Sequence, residues 1–273
     1  MDDQVARAAQ LIREADGIIV AAGAGMGVDS GLPDFRGATG FWKAYPALAA
    51  ARIDFPQAAS ARGFEQHPRR SWGFYGHRLA LYRRTVPHAG FALLQQWSRS
   101  KEHGCSVFTS NVDGQFQLAG FDPEQVHECH GSIHYMQCSA PCSEAIWPAD
   151  QFMPEVDERH CLLLGELPAC PHCGAIARPN ILMFDDWTWL DQRSEAQSAR
   201  QQAWLERLER PVVIEIGAGT AIPSVRHFSN RIIRQHNGTL VRINPRAAEV
   251  ARGTDVALEL GALEALRAID RMY

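Results

Sequence analysis

Apolar residues at Val5, Ala8, Ala9, Ile12 and Ala15 return at intervals of three and four, the period of a helix with one buried face. The apolar run Gly-Ile-Ile-Val-Ala-Ala at 17–22 follows at once and reads as a buried strand. Shorter runs of the same kind, Ser106–Thr109, Val212–Ile216 and Thr239–Ile243, each lead into a polar or glycine-rich stretch. Helical periods fill the intervals, notably Ala196–Leu208 and Ala262–Ile269. Strands that alternate with helices predict an α/β chain: a Rossmann-like, doubly wound parallel sheet with ligands at the carboxyl ends of its strands. Two stretches break the alternation. Residues 40–85, rich in aromatics and arginine, predict a helical insert, and residues 131–182 hold two close cysteine pairs among many prolines. The expected organisation is a large part from 1–39, 86–130 and 183–273 and a small part from the insert 40–85 and the cysteine module 131–182.

The segment after the first strand, Gly-Ala-Gly-Met-Gly-Val-Asp-Ser-Gly-Leu-Pro-Asp-Phe-Arg-Gly at 23–37, carries the most information. Glycines directly after a buried strand let backbone N–H groups approach a phosphate, so this is a nucleotide site. It departs from the ordinary dinucleotide fingerprint, because Val28 stands where a third glycine would follow Gly23 and Gly25; a plain oxidoreductase is disfavoured.

A chain of 273 residues with 46% apolar content can bury a full core, and a formal charge of -4 with scattered cations argues against a nucleic-acid surface. No stretch has the pattern of a signal peptide or the apolar length of a membrane span, which predicts a cytoplasmic protein. Of the seven cysteines, Cys138 and Cys142 form a Cys-x3-Cys pair and Cys170 and Cys173 a Cys-x2-Cys pair. Two such pairs supply four thiolates, the closed tetrahedral shell of a structural zinc, in which His172 is not needed. Cys105, Cys129 and Cys161 read as buried thiols.

Three more segments join this pattern: Thr-Ser-Asn-Val-Asp-Gly at 109–114, His-Gly-Ser at 130–132 and Arg-Pro-Asn-Ile-Leu-Met-Phe at 178–184. With the split cysteine module, their order resembles the sirtuin family of NAD-dependent protein deacylases, over nearly the entire chain. The resemblance implies NAD as a consumed co-substrate, a structural zinc, and acylated lysine on proteins as substrate. It implies that Gly23, Ala24 and Gly25 hold the NAD phosphates, while Asp34, Phe35 and Arg36 line the nicotinamide and ribose pocket. Ser110, Asn111 and Asp113 would hold the ribose and the nicotinamide carboxamide. His130 would be the general base, with Asn111 and Asp113 beside it in the catalytic group. Gly217, Gly219, Thr220 and Asn244 would take the adenosine side, although Ala218 and Gly219 replace a usual Thr-Ser pair. Met183 and Phe184 would bind the substrate peptide.

Tyr75 and Arg78 stand at i and i+3, on one face of a helix, where sirtuins that prefer succinyl and malonyl lysine carry Tyr-x-x-Arg. A guanidinium fork matches the distal carboxylate of such an acyl group. An acidic acyl group is therefore the first expectation and acetyl the second. Departures from the family pattern lie near the chemistry: Gly27 for Ser, Ser110 for Gln, and Phe184-Asp185-Asp186 for Phe-Gly-Glu. Two carboxylates in that last segment are expected to repel an acidic acyl chain. The altered positions leave mono-ADP-ribosyl transfer and non-catalytic NAD or ADP-ribose sensing as alternative functions.

Overall fold

The computed structural model describes residues 2–34 and 37–273, apart from the side chains of residues 37–39. Helix α1 (Asp2–Glu14) buries Val5, Ala8, Ala9 and Ile12, the face its period predicts. It feeds β1 (Gly17–Ala22), buried along its whole length, and then a tight 3-10 turn at Ala24–Ser30. Five helices make the insert: α2 (Gly37–Ala44), α3 (Pro46–Ala50), α4 (Phe55–Ala58), α5 (Ala61–Gln66) and the long α6 (Pro68–Arg84). Next come α7 (Gly90–Ser98), β2 (Cys105–Thr109), the single turn α8 (Gln115–Leu118) and β3 (Val126–Glu128). The cysteine module contains β4 (Gly131–Cys138), β5 (Ile146–Pro148), β6 (Val156–Asp157), β7 (Leu162–Leu163) and β8 (Ala177–Ile181). The chain then returns through α9 (Gln192–Leu205), β9 (Pro211–Ile216), α10 (Ser224–Gln235), β10 (Thr239–Ile243), β11 (Val256–Leu258) and α11 (Ala262–Asp270).

The main sheet runs β11-β10-β9-β1-β2-β3 and every neighbouring pair is parallel. Since β1 is followed on one side by β2 and on the other by β9, the strand order reverses between β1 and β9. That reversal opens the crevice in which such sheets bind ligands. One face of the sheet packs Val20, Val107, Ile214 and Val241 against α1, α7 and α11. The other packs Ile19, Val213 and Leu240 against α9 and α10, where Phe108 and Phe228 stack at 3.9 Å and fix the start of α10 over β2.

A second core joins the insert to the module: Phe41, Phe64, Trp72, Phe74, Tyr75 and Leu79 meet Ile133, Met136 and Ile181, with Leu32, Val112 and Met183 at its border. Helix α6 can lie this close to the module because Gly73 has no side chain; a Cβ there would stand 2.1 Å from the Cys161 carbonyl oxygen. Strand β4 pairs antiparallel with β5 and β8, so the expected cysteine module is also a small three-stranded sheet.

From β8 the chain returns through a segment held by a buried ion pair. Arg178 donates from both terminal nitrogens to Asp186 at 2.8 and 2.9 Å, with both side chains essentially without solvent. Asp186 also accepts from Thr188 N, and Asn180 reaches the Gln137 side chain and the Leu190 carbonyl. Removing one partner strands a buried charge, which costs about 3–5 kcal/mol. Asp186→Ala is therefore expected to lower the unfolding free energy by about that amount in equilibrium denaturation; a loss below about 1 kcal/mol would show the pair to be dispensable.

Candidate functional site

The crevice is walled by two glycine loops that meet backbone to backbone. Gly23 N–H donates to Ile216 O at 2.9 Å, and Gly25 N–H donates to Gly217 O at 3.1 Å. Gly217 has φ +63°, and a Cβ on it would fall 2.4 Å from Gly25 Cα, so no larger residue fits there. Gly23, Gly25 and Gly217 first let the two loops close on each other, and the Gly25 amide is already spent inside the protein.

Each loop is then pinned by an asparagine at the end of the neighbouring strand. Asn111, just past β2, donates from Nδ2 to Gly23 O at 3.0 Å. Asn244, just past β10, donates from Nδ2 to Ala218 O at 3.0 Å, while its Oδ1 accepts from the amides of Arg246 and Ala247. Asparagine suits both places because one side chain carries donor and acceptor together. Gly219 and Thr220 continue the second loop at the surface.

Asp113 lies buried at the turn after β2, where its Oδ1 accepts from Gln115 N at 2.9 Å. Burial pushes its carboxyl up to about 6; the Gln115 amide and nearby Arg78 pull the other way, and Glu128 adds to the rise. His134 Nε2 bonds the Asp113 carbonyl at 2.9 Å and holds that turn.

His130 follows β3, which brings it beside Ser110 at the end of β2. Its Nε2 lies 3.2 Å from Ser224 Oγ, at the first turn of α10, and its ring also bonds the Ser110 backbone. Burial holds the imidazole below its usual value, with the Ser110 backbone opposing weakly. The His130 carbonyl accepts from Leu182 N at 3.0 Å, which joins the turn to Met183 and Phe184. Phe184 N–H donates to Ala59 O at 2.9 Å and pairs with Ser60 as a parallel bridge. Met183 is buried, and its amide donates to Asp186 at 3.3 Å.

Tyr75 and Arg78 share one face of α6, and both are buried. The guanidinium donates from Nε and Nη2 to Tyr82 Oη at 2.8 and 2.6 Å and lies over the rings of Phe74, Tyr75 and Tyr82 at 5.2 to 5.8 Å. Arg78 favours the charge of Asp113, and Asp113 in turn raises Tyr82, so the insert reaches the floor of the crevice. Sequence alone did not single out Tyr82, Ser224 or Arg246. Tyr82 was legible at i+4 from Arg78; Ser224 opens α10 and Arg246 stands in a loop, and only the fold reveals what each approaches.

Beside this arrangement a cavity of about 120 Å³ opens at the ends of β1, β9 and β10, with Gly25, Asp34, Gly217 and Arg246 in its lining. Phe35 and Arg36, expected in the nicotinamide pocket, lie outside the described residues.

In the small part Cys138, Cys142, Cys170 and Cys173 converge, with all four sulfurs within 4.8 Å of one another. Cys138 and Cys173 are 3.7 Å apart, and Cys142 and Cys170 are 3.6 Å apart. Four Zn–S bonds of about 2.3 Å set tetrahedral sulfurs about 3.8 Å apart, so the cluster fits zinc. Cys105 and Cys161 are buried away from it, and Cys129 is half-buried.

A family model described as the Sir2 family matches residues 23–209. An NAD-dependent protein deacylase of Pyrococcus furiosus is 29% identical over 91% of this chain and 89% of its own length. One of Thermus thermophilus is 26% identical over 97% and 93%. Among solved structures, a Sir2 homolog–NAD complex superposes with a TM-score of 0.71 at 22% identity, covering 97% of this chain and 92% of that one. Among the described residues no helix is long and apolar enough to cross a membrane.

The four cysteines tie the end of β4 to the turn before β8, in a module whose other strands have five residues or fewer. Replacing Cys142 and Cys173 with serine is expected to remove one zinc per chain, measured by elemental mass spectrometry, and to lower the melting temperature by on the order of 10 °C. A metal-free protein of unchanged melting temperature would refute the structural role.

Proposed function

The chain belongs to the Sir2 family, and from that membership we propose that it is an NAD-dependent protein-lysine deacylase. The observation that carries the reading is the position of a half-buried imidazole on the turn after β3, beside the neighbouring turn after β2 that carries Asn111 and Asp113, at the switch point. The names of relatives across bacteria and archaea support deacylation over ADP-ribosyl transfer or sensing.

NAD bound in this crevice would supply a ribose carbon made reactive by the loss of nicotinamide. The rest belongs to the side chains. Asp113, as a carboxylate, accepts from the carboxamide N–H and turns the ring into the orientation from which it leaves. Asn111 keeps Gly23 and Ala24 in place for the phosphates, and Asp34, Ser110, Gly219 and Thr220 complete the nucleotide's surroundings. His130 uses Nε2 as the base. Burial keeps the ring uncharged, so Nε2 can take a proton from a ribose hydroxyl. Met183 and Phe184, tied to the His130 carbonyl through Leu182, present the substrate peptide to that base.

Tyr75 and Arg78 bind the distal carboxylate of an acidic acyl group. The feared repulsion from the segment after Phe184 is reduced in this fold, because Asp186 is neutralised by Arg178 and buried away from solvent. Asp185 takes the left-handed position, φ +52°, which a short polar side chain tolerates where glycine would be easiest.

His130→Ala is expected to reduce deacylation by on the order of a hundredfold or more while NAD still binds. In the parent enzyme, kcat/KM should fall on the acid side near pH 6. Protonation of Asp113, whose carboxyl is raised to about 6, and of His130, whose imidazole lies below its usual value, removes two functions on the same limb. Mass spectrometry of the products checks the reaction: O-acyl-ADP-ribose supports it, and labelled protein or free ADP-ribose alone would sink it. For the acyl pocket, Arg78→Met should shift the ratio of kcat/KM for succinyl against acetyl peptide by about tenfold toward acetyl. An unchanged ratio would remove Arg78 from acyl selection.

A further inference from the structure

Three arginines stand at the carboxyl ends of β9 and β10. Arg242 is paired with Glu215 at 2.6 Å inside the sheet. Arg226 donates to Ala218 O at 3.3 Å and to Ala247 O at 2.6 Å, bracing the second glycine loop. Arg246 differs from both. Its amide is fixed by Asn244 Oδ1 at 3.1 Å, but its side chain is exposed, lines the cavity of about 120 Å³, and meets no hydrogen-bond or ion-pair partner among the described residues.

The placement has a chemical meaning. In open α/β sheets the residue beyond a strand end that faces the adenosine ribose decides between dinucleotides: a carboxylate accepts from a free 2′-hydroxyl, whereas an arginine accommodates a 2′-phosphate. The nicotinamide end of the crevice is set by Asn111, Asp113 and His130 beyond β2 and β3, so the adenosine end lies across the switch point, over β9 and β10. There the chain presents Arg246. Two carboxylates share the cavity. Asp29 is engaged, since its Oδ2 accepts from Leu263 N at 2.8 Å at the start of α11. Asp34 lines it as well.

We propose that Arg246 is a specificity residue that lets this protein take the 2′-phosphorylated dinucleotide NADP alongside NAD. A guanidinium and a phosphate match in geometry as well as charge, so the contact discriminates the phosphate from a hydroxyl. The inference rests on the reading that a dinucleotide occupies this crevice.

The test is calorimetric titration of the zinc-loaded, full-length chain with NAD, NADP, ADP-ribose and ADP-ribose 2′-phosphate, without acyl peptide. NADP is expected to bind within about tenfold of NAD. Arg246→Glu should move the NADP-to-NAD affinity ratio by more than about tenfold toward NAD, and Asp29→Asn should move it the opposite way by a few-fold. The inference is overturned if NADP binds more than about tenfold weaker than NAD, or if Arg246→Glu moves the ratio by less than about tenfold. In either case NAD binding would leave the deacylase reading intact. Failure of all four ligands to bind would overturn that reading and this one together.

Discussion

The contact on which the rest depends is the meeting of two backbones at the switch point. With Gly25 N–H on Gly217 O and no Cβ on either residue, the loops after β1 and β9 close to van der Waals distance and define one crevice. The two asparagines extend this into a symmetry. Asn111 holds the first loop from β2, and Asn244 holds the second from β10, each with an amide donating to a loop carbonyl at 3.0 Å. The two halves of the sheet thus use the same device on either side of the reversal. It explains why polar side chains of this type sit at two strand ends where turn formation alone would be satisfied by many residues.

A second constraint acts at the seam between the large and small parts. The chain crosses it at Gly131 and again after Ile181, and the crossing is fixed by groups that water does not reach. Gly131 has φ +76° and a Cβ would collide with the Asn180 carbonyl, so the two crossing strands touch immediately after His130. Arg178 and Asp186 then fold the returning segment back under itself. A buried ion pair contributes little net stability compared with apolar packing, yet its geometry is exacting. The pair therefore acts chiefly on position: it sets where Met183 and Phe184 stand relative to the imidazole.

The parallel sheet was legible because apolar runs and helical periods do not depend on distant residues. Thr239–Ile243 is a strand at the limits its apolar run indicated, and β1 matches Gly17–Ala22. The cysteine cluster was legible for a different reason, since two close cysteine pairs at such spacings are the mark of a metal site. Strands β3 and β11, three residues each, carried too few positions to show a period. In β4 the sequence Gly-Ser-Ile-His-Tyr-Met-Gln-Cys hides its alternation, because a register shift between Ser132 and Met136 interrupts the pairing with β8. What Asn111 and Asn244 touch was beyond reach for a physical reason. Their partners lie 88 and 26 residues away along the chain, and a hydrogen bond leaves no mark on local composition.

The electrostatics of the crevice floor join these pieces. Burial pushes the imidazoles of His127, His130 and His134 down and the carboxyl of Asp113 up, in each case toward the neutral form. Arg78 goes the other way. Burial opposes its charge, but Tyr82, Tyr45 and Tyr75 outweigh that opposition, so it stays cationic in a ring of aromatic side chains. The same cation lowers Asp113 toward its ionised form. On the proposed reading, an acidic acyl group brings a second carboxylate to Arg78 and shares the field that favours ionisation of Asp113. Acyl recognition and the hold on the carboxamide are then coupled through one buried guanidinium. An acidic acyl chain makes the proton on Asp113 harder to lose, and an uncharged acyl chain leaves it unaffected.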